Sequence, residues 1–196
     1  MARKYELKQR ALSKAETRQR IVEATVDLHR AFGPVRTTIS AIAERADVQR
    51  LTVYRHFPDE RSLFQACSRH WVEVNPRPDP SAWTAVEDPE ERLRIALGEI
   101  YAFFRRTEDM TAHILRDLQE SSALREVAAP FAQYWEDVRK VLCRDWGARG
   151  GWRKIVHAVI GHAVEFETWR SLVRRQRLSD AEAVEAMLSL ARAARE

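Results

Sequence analysis

Apolar positions in this 196-residue chain recur at intervals of three and four and almost nowhere alternate, which predicts helices and no strands. Ile21, Thr25, Leu28 and Phe32 give one stripe, Ile39, Ile42, Ala43 and Ala46 a short second one, and Leu63, Ala66, Cys67, His70 and Trp71 a third. Asp88-Pro89-Glu90-Glu91 is a helix start, with a capping acid, a first-turn proline and charge that suits the dipole. The stripe Leu93, Leu97, Ile100, Tyr101 and Phe104 follows it. Residues 152–177 carry Ile155, Ala158, Val159, His162, Ala163 and Phe166 at helical spacing, with Gly161 nearby. Ser179-Asp180-Ala181-Glu182 fits a capping box for a last helix whose apolar residues are Ala183, Val184, Met187, Leu188, Leu190 and Ala191. Pro76, Pro78 and Pro80 forbid a helix across their segment. Gly147-Ala148-Arg149-Gly150-Gly151 reads as a loop, and Pro130 as a helix start or a kink. The pattern predicts an all-α chain of about nine helices: a basic arm over 1–14, a helix-turn-helix domain over 15–75 and a second helical domain over 76–196.

The stretch from Thr37 to Phe64 is the most informative. Thr38 can cap a short helix with Ile39, Ile42 and Ala43 inward. Ala46-Asp47-Val48 supplies a tight turn, and Val48 to Phe57 supplies a second short helix, with small Ala43 and Ala46 where the two cross. That is the helix-turn-helix plan, whose second helix enters the major groove. Gln49, Arg50, Thr52, Arg55 and His56 put donors on it. Charge agrees: residues 1–70 hold 14 Lys and Arg against 8 Asp and Glu, while the remainder is slightly acidic. Such asymmetry suits a polyanionic partner, although a solvated basic face would look the same.

The string Thr52-Val53-Tyr54-Arg55-His56-Phe57-Pro58-Asp59 resembles the signature of the TetR family of regulators. Arg18, Ile21, Phe32-Gly33, Thr37-Thr38, Ile42-Ala43, Ala46, Val48 and Leu63-Phe64 fall at that family's spacing, so the resemblance covers residues 15 to about 70. It implies that Thr38 caps the scaffold helix and donates to a phosphate, and that Ser40 reaches the groove edge. Gln49 and Arg50 would face bases, Arg50 being suited to guanine O6 and N7. Thr52 would touch a base methyl or a phosphate, Tyr54 and His56 would fix register on phosphates, and Arg55 could do either. Phe57 is expected in the core. Two positions depart from the family pattern. Asp47 stands where glycine is usual, and Glu60 where a phosphate-binding lysine is usual, leaving Arg61 and the amino end of its helix to take that contact. The basic arm would follow the minor groove or simply raise non-specific affinity.

A single helix-turn-helix touches few bases, so a homodimer on a palindromic operator in double-stranded DNA is expected, joined through residues 152–177 and 181–194. The resemblance also implies a small-molecule effector of unknown identity. Tyr101, Phe104, His113, Tyr134, Trp135, Phe166 and Trp169 are candidate pocket lining, although a row of aromatics is more often core. No catalytic constellation, cofactor motif or metal spacing is present: His162 and Glu165 are one turn apart, with His157 ahead of them, but there is no paired-histidine or paired-cysteine motif. Cys67 and Cys143 match no disulfide framework. No run approaches a membrane span and the first residues carry no secretory signal, which predicts a cytoplasmic protein. The reading is therefore a ligand-released DNA-binding repressor. A helical adaptor without specific DNA binding is the alternative, and a helical enzyme the third possibility.

Overall fold

A computed structural model describes residues 2–147 and 150–194; of residues 2–8 only the backbone is described. Nine α-helices occur among them: α1 (Ala2–Phe32), α2 (Ile39–Arg45), α3 (Arg50–His56), α4 (Glu60–Val74), α5 (Pro89–Asp117), α6 (Ser122–Leu142), α7 (Gly151–Ala163), α8 (Phe166–Arg170) and α9 (Asp180–Ala193). A 3-10 turn at Pro80–Ala85 and a π-turn at Ser171–Arg175 complete the described elements, which include no strand. The stretch expected as a basic arm is drawn into α1. Ala148 and Arg149 of the expected glycine loop lie outside the described residues, while Gly147 and Gly150 beside them take positive φ, 69° and 58°.

The chain divides into two compact units, one formed by residues up to Asn75 together with Asp109–Ala129, the other by Pro76–Glu108 and the residues from Pro130 onward. Pro130 lies inside α6 and starts the second unit's share of that helix. It removes one helical donor without ending the helix.

In the first unit, α1 buries Ile21, Val22, Thr25, Val26 and His29 against Ile42, Val53, Phe57, Leu63 and Cys67. Thr25 satisfies its own hydroxyl by donating to the Ile21 carbonyl at 2.6 Å. Burial pushes the Cys67 thiol up to about 12, so it is an inert core sulfur. Burial also holds His29 down to about 4, hence neutral, with its ring edge-on to Phe64 at 5.6 Å. Gly33 ends α1 at φ 95°; a Cβ there would meet the Arg116 guanidinium at 2.3 Å and the Asp117 carboxylate at 2.6 Å. Those two side chains close the helix end. Arg116 donates to the Phe32 carbonyl at 2.9 Å, and the buried Asp117 accepts from the Val35 amide at 3.0 Å and from Arg116 at 2.7 Å. A cation on a helix's last carbonyls is electrostatically favourable.

In the second unit, the expected caps form. Asp88 accepts from the Glu91 amide at 2.9 Å, and Ser179 and Glu182 complete a capping box. Residues 152–177 are not one helix, as their periodicity suggests. Val164 leaves α7, Glu165 is extended (φ −80°, ψ 139°), and α8 then passes into the π-turn closed by the Gln176 amide on Ser171. The break turns Phe166 and Trp169 onto Phe104, at 5.4 and 5.9 Å between ring centroids, and the Trp169 indole donates to Asp180 at 3.0 Å. Those contacts outweigh the local helical preference.

Candidate nucleic-acid interface

Thr38 caps α2: its backbone is extended (φ −95°, ψ 152°) and its hydroxyl oxygen accepts from the Ala41 amide at 3.1 Å. Serving as acceptor leaves the hydroxyl proton of this exposed residue for an outside acceptor. Ser40, on the first turn of α2, is exposed. The helix ends in a Schellman motif: the Val48 amide donates to the Ala43 carbonyl at 3.0 Å and the Asp47 amide to Glu44 at 3.2 Å. Asp47 therefore takes the left-handed conformation at φ 52°, where an unbranched polar residue is tolerated better than most. That turn sets α3 against α2 over the buried Ala43 and Ala46.

Helix α3 has two faces of different character. Val53 is fully buried and Phe57 nearly so, which places Phe57 in the core. Gln49, Arg50, Tyr54 and Arg55 are exposed, Thr52 and His56 partly so. Gln49 opens the helix without using its amide as a cap. Neither Arg50 nor Arg55 pairs with a carboxylate among the described residues. Tyr54 keeps 47% of its surface exposed, so it is not core. Burial, then the positive charges of Lys14 and Arg18, hold the His56 imidazole below its ordinary value.

Helix α4 begins with Asp59 as its cap, accepting from the Ser62 amide at 2.7 Å. Glu60 is exposed on the first turn. Arg61, expected to take the contact of the usual lysine together with the helix amino end, is exposed and lies 3.2 Å from Glu126. A second basic contribution escaped the sequence reading: Arg18 of α1 lies over the Phe57 ring, 4.7 Å from its centroid.

The candidate lining residues divide between the units. Phe104, Tyr134, Trp135, Phe166 and Trp169 form one contiguous aromatic cluster of the second unit, with Tyr134 and Trp135 at 4.9 Å and Phe104 and Trp135 at 5.6 Å. Tyr101 is fully buried nearby on α5 and donates to the Ala163 carbonyl at 2.9 Å. His113 belongs to the first unit, its Nδ1 at 3.3 Å from the His29 carbonyl oxygen, because the last turns of α5 pack there. An open cleft of about 700 Å³ lies elsewhere in the second unit, between α6 and α7. Arg139, Lys140, Cys143, Trp146, Val156 and His157 are among its walls.

The residues expected at a dimer face also divide. Ala163, Phe166, Ala183, Val184, Met187, Leu188 and Ala191 are buried within the unit. Trp152, Ile155 and Leu190 are large, apolar and about half exposed. Ala158 and His162 are exposed beside them on α7, and Val159 partly so. The His162 ring lies 3.1 Å from the Thr168 hydroxyl.

Comparison with known proteins agrees with this geometry. Residues 21–67 match the family model described as bacterial regulatory proteins, tetR family. The chain is 32% identical over 118 residues to the HTH-type transcriptional repressor KstR of Mycobacterium tuberculosis, a match covering 57% of this chain and 53% of that protein. The chain thus spans about half the length of the curated relatives it matches. Its fold is similar to that of a tetR-family transcriptional regulator from Streptomyces coelicolor, with a TM-score of 0.62 at 18% identity over 92% of this chain and 80% of that one. A TetR-like regulator from a Rhodococcus strain gives a TM-score of 0.60 at 19% identity, over 89% and 93%.

Proposed function

We propose that the chain, which matches the tetR family of bacterial regulatory proteins over residues 21–67, is a dimeric, sequence-specific DNA-binding repressor released from a palindromic operator by a small-molecule effector. The observation that carries the reading is the exposed face of α3. A seven-residue helix, held by a Schellman turn on one side and by buried Val53 and Phe57 on the other, presents Gln49, Arg50, Tyr54 and Arg55, whose side chains have no partner among the described residues. Arg50 reads a guanine edge, and Gln49 and Thr52 assist it. Thr38, Ser40, Tyr54, Arg55 and His56 hold the backbone. The Glu126 carboxylate beside Arg61 supports moving the α4 contact from that side chain to the helix amino end.

Dimerisation uses the apolar face of α7 and α9 around Trp152, Ile155, Ala158 and Leu190, two helices from each copy making a four-helix contact. The effector is received in the second unit. Its aromatic cluster offers the apolar surface, and the α6–α7 cleft has a volume within the range of ordinary ligand sites. Binding there would favour a conformer whose two recognition helices no longer match grooves about 34 Å apart. The protein acts in the cytoplasm, carries out no chemistry and needs no cofactor. No helix among the described residues is long and apolar enough to cross a membrane.

The test is selection of bound sequences from a random duplex pool by the purified chain at near-physiological salt. Recovery of a palindrome with half-sites about one helical turn apart supports the reading. Enrichment of nothing above background overturns it.

A further inference from the structure

The geometry points to the exposed stretch of α1 around Lys14 and Arg18 as a second DNA-contacting element: the two side chains form a rigid basic ridge that binds backbone phosphates of the duplex beside the recognition helix. This rests on the DNA-binding reading above and extends it to a helix that reading does not use. Lys14 and Arg18 follow at four-residue spacing on the face of α1 that, one turn further on, carries Val22, Thr25 and His29 into the core. The same helical face is therefore apolar inside the unit and cationic where it projects beyond it. Both side chains are exposed. Arg18 lies over the ring of Phe57, the residue that ends α3, with its guanidinium carbon 4.7 Å from the ring centroid. Lys14 lies one turn, about 6 Å, further out along the helix. The seat of Arg18 on Phe57 places the ridge beside the recognition helix, and burial together with the two charges holds His56 on α3 below its ordinary value.

Pairing separates these cations from others in the unit. Arg45 is held by Asp27 at 2.7 Å, Arg61 by Glu126 at 3.2 Å and Arg116 by Asp117 at 2.7 Å. No carboxylate pairs with Lys14 or Arg18 among the described residues. A guanidinium held over a ring face still has N–H donors for an anion, and phosphate is the anion that a duplex places next to a recognition helix. A flexible arm would have to be ordered on binding; a ridge continuous with α1 is already in place.

The experiment measures binding of the full chain to a mixed-sequence duplex several helical turns long, across a salt series, by fluorescence anisotropy. Phosphate contacts carry no sequence information, so no operator is needed. The variants are K14Q, R18Q, R18K and, as a control, R45Q, whose charge Asp27 already neutralises. We expect K14Q and R18Q each to reduce the slope of log affinity against log salt by about 0.9. R18K should restore the slope, and R45Q should leave it at the wild-type value. Unchanged slopes in K14Q and R18Q overturn the ridge, as does an equal fall in R45Q, which would mean that only net charge matters. A lower melting temperature in R18Q with an unchanged slope assigns Arg18 to packing on Phe57 and overturns its phosphate role. If the wild-type chain binds no duplex at any salt, the parent reading fails together with the ridge, whereas wild-type binding with unaltered variants removes the ridge alone.

Discussion

In the second unit, arginines reach from one helix to the next. Arg94 pairs with Glu185, Arg105 with Asp180 at 2.6 Å, Arg174 with Glu108 at 2.5 Å and Arg192 with Glu90 at 2.6 Å. Three of these tie α5 to α9. Around α3 in the first unit, Arg50 and Arg55 are exposed and pair with no acid among the described residues. Paired charges report on assembly, because each is accounted for by its partner. Unpaired charges gathered on a short helix are not needed for folding and call for a partner outside the chain. The first unit therefore displays the cations of α3, while the second has turned these four arginines onto its own acids.

The largest effect should come from the inward-facing side of that contrast. Trp169→Ala removes a fully buried indole from the cluster of Phe104, Phe166 and Trp135 and leaves Asp180 without one donor. Denaturant unfolding followed by circular dichroism should show a loss of about 3–5 kcal/mol. A loss under about 1 kcal/mol would mean that the cluster packs loosely, as the wall of a ligand site does, and would move the effector there from the α6–α7 cleft.

A second effect of similar size is conditional on pH and belongs to the first unit. His29 titrates near 4 in the fold because burial disfavours its charged form, whereas its unfolded value is 6.5. Between those values the unfolded chain binds more protons, so stability is complete above about 6.5 and falls as pH drops toward 4. The shift corresponds to about 3 kcal/mol, at about 1.4 kcal/mol per pH unit. Thermal melting of wild type and His29→Gln across this window should show a steeper fall in the wild type, and parallel curves would contradict the burial argument. Asp117 acts in the same direction: despite its burial, donors from Arg116 and Val35 hold it below the ordinary carboxylate range, so its share is lost at still lower pH.

The sequence made the first unit legible because its signals are short in range. A threonine cap, an Asp able to take positive φ two residues after a helix, and an aromatic two turns on act within one or two turns. The second unit and the links to the rest of α5 and α6 depend on contacts far apart in sequence. Phe166, Trp169 and Val173 keep helical spacing after Ala163, so nothing local marks the break at Val164 and Glu165. His113 follows the aromatics Tyr101, Phe103 and Phe104 on the same helix, but the last turns of α5, with Met110 and Ile114, pack against the core of the first unit. Lys14 looked like part of a loose basic arm because its relation to α3 exists only once α1 is folded. Arg61 looked free because Glu126 is distant in sequence.

Arg50→Ala sharpens the contrast from the outward-facing side. It should cost about 1–3 kcal/mol at one operator position and relax the base preference there, measured by affinity for a set of single-position operator variants. Equal weakening on every sequence would reassign Arg50 to the phosphate backbone. Folding stability should not change, since the side chain is exposed and pairs with no acid among the described residues.

The smallest effect is the most direct trial of the contrast itself. Arg105→Gln breaks a pair whose members are 44% and 30% exposed, so it should lower stability by only about 0.2–1 kcal/mol and leave DNA affinity unchanged. The Asp180 carboxylate keeps the Trp169 indole donor and its place on the first turn of α9, which limits the damage. Arg55→Gln should do the reverse, leaving the melting temperature alone while shrinking the salt dependence of DNA binding by about one phosphate contact. The two variants remove the same charge from the same chain, so net charge predicts identical behaviour for both. Identical behaviour would erase the distinction between structural and displayed arginines; a crossed pattern, stability lost in one and salt slope in the other, would show that pairing alone decides which arginines meet DNA.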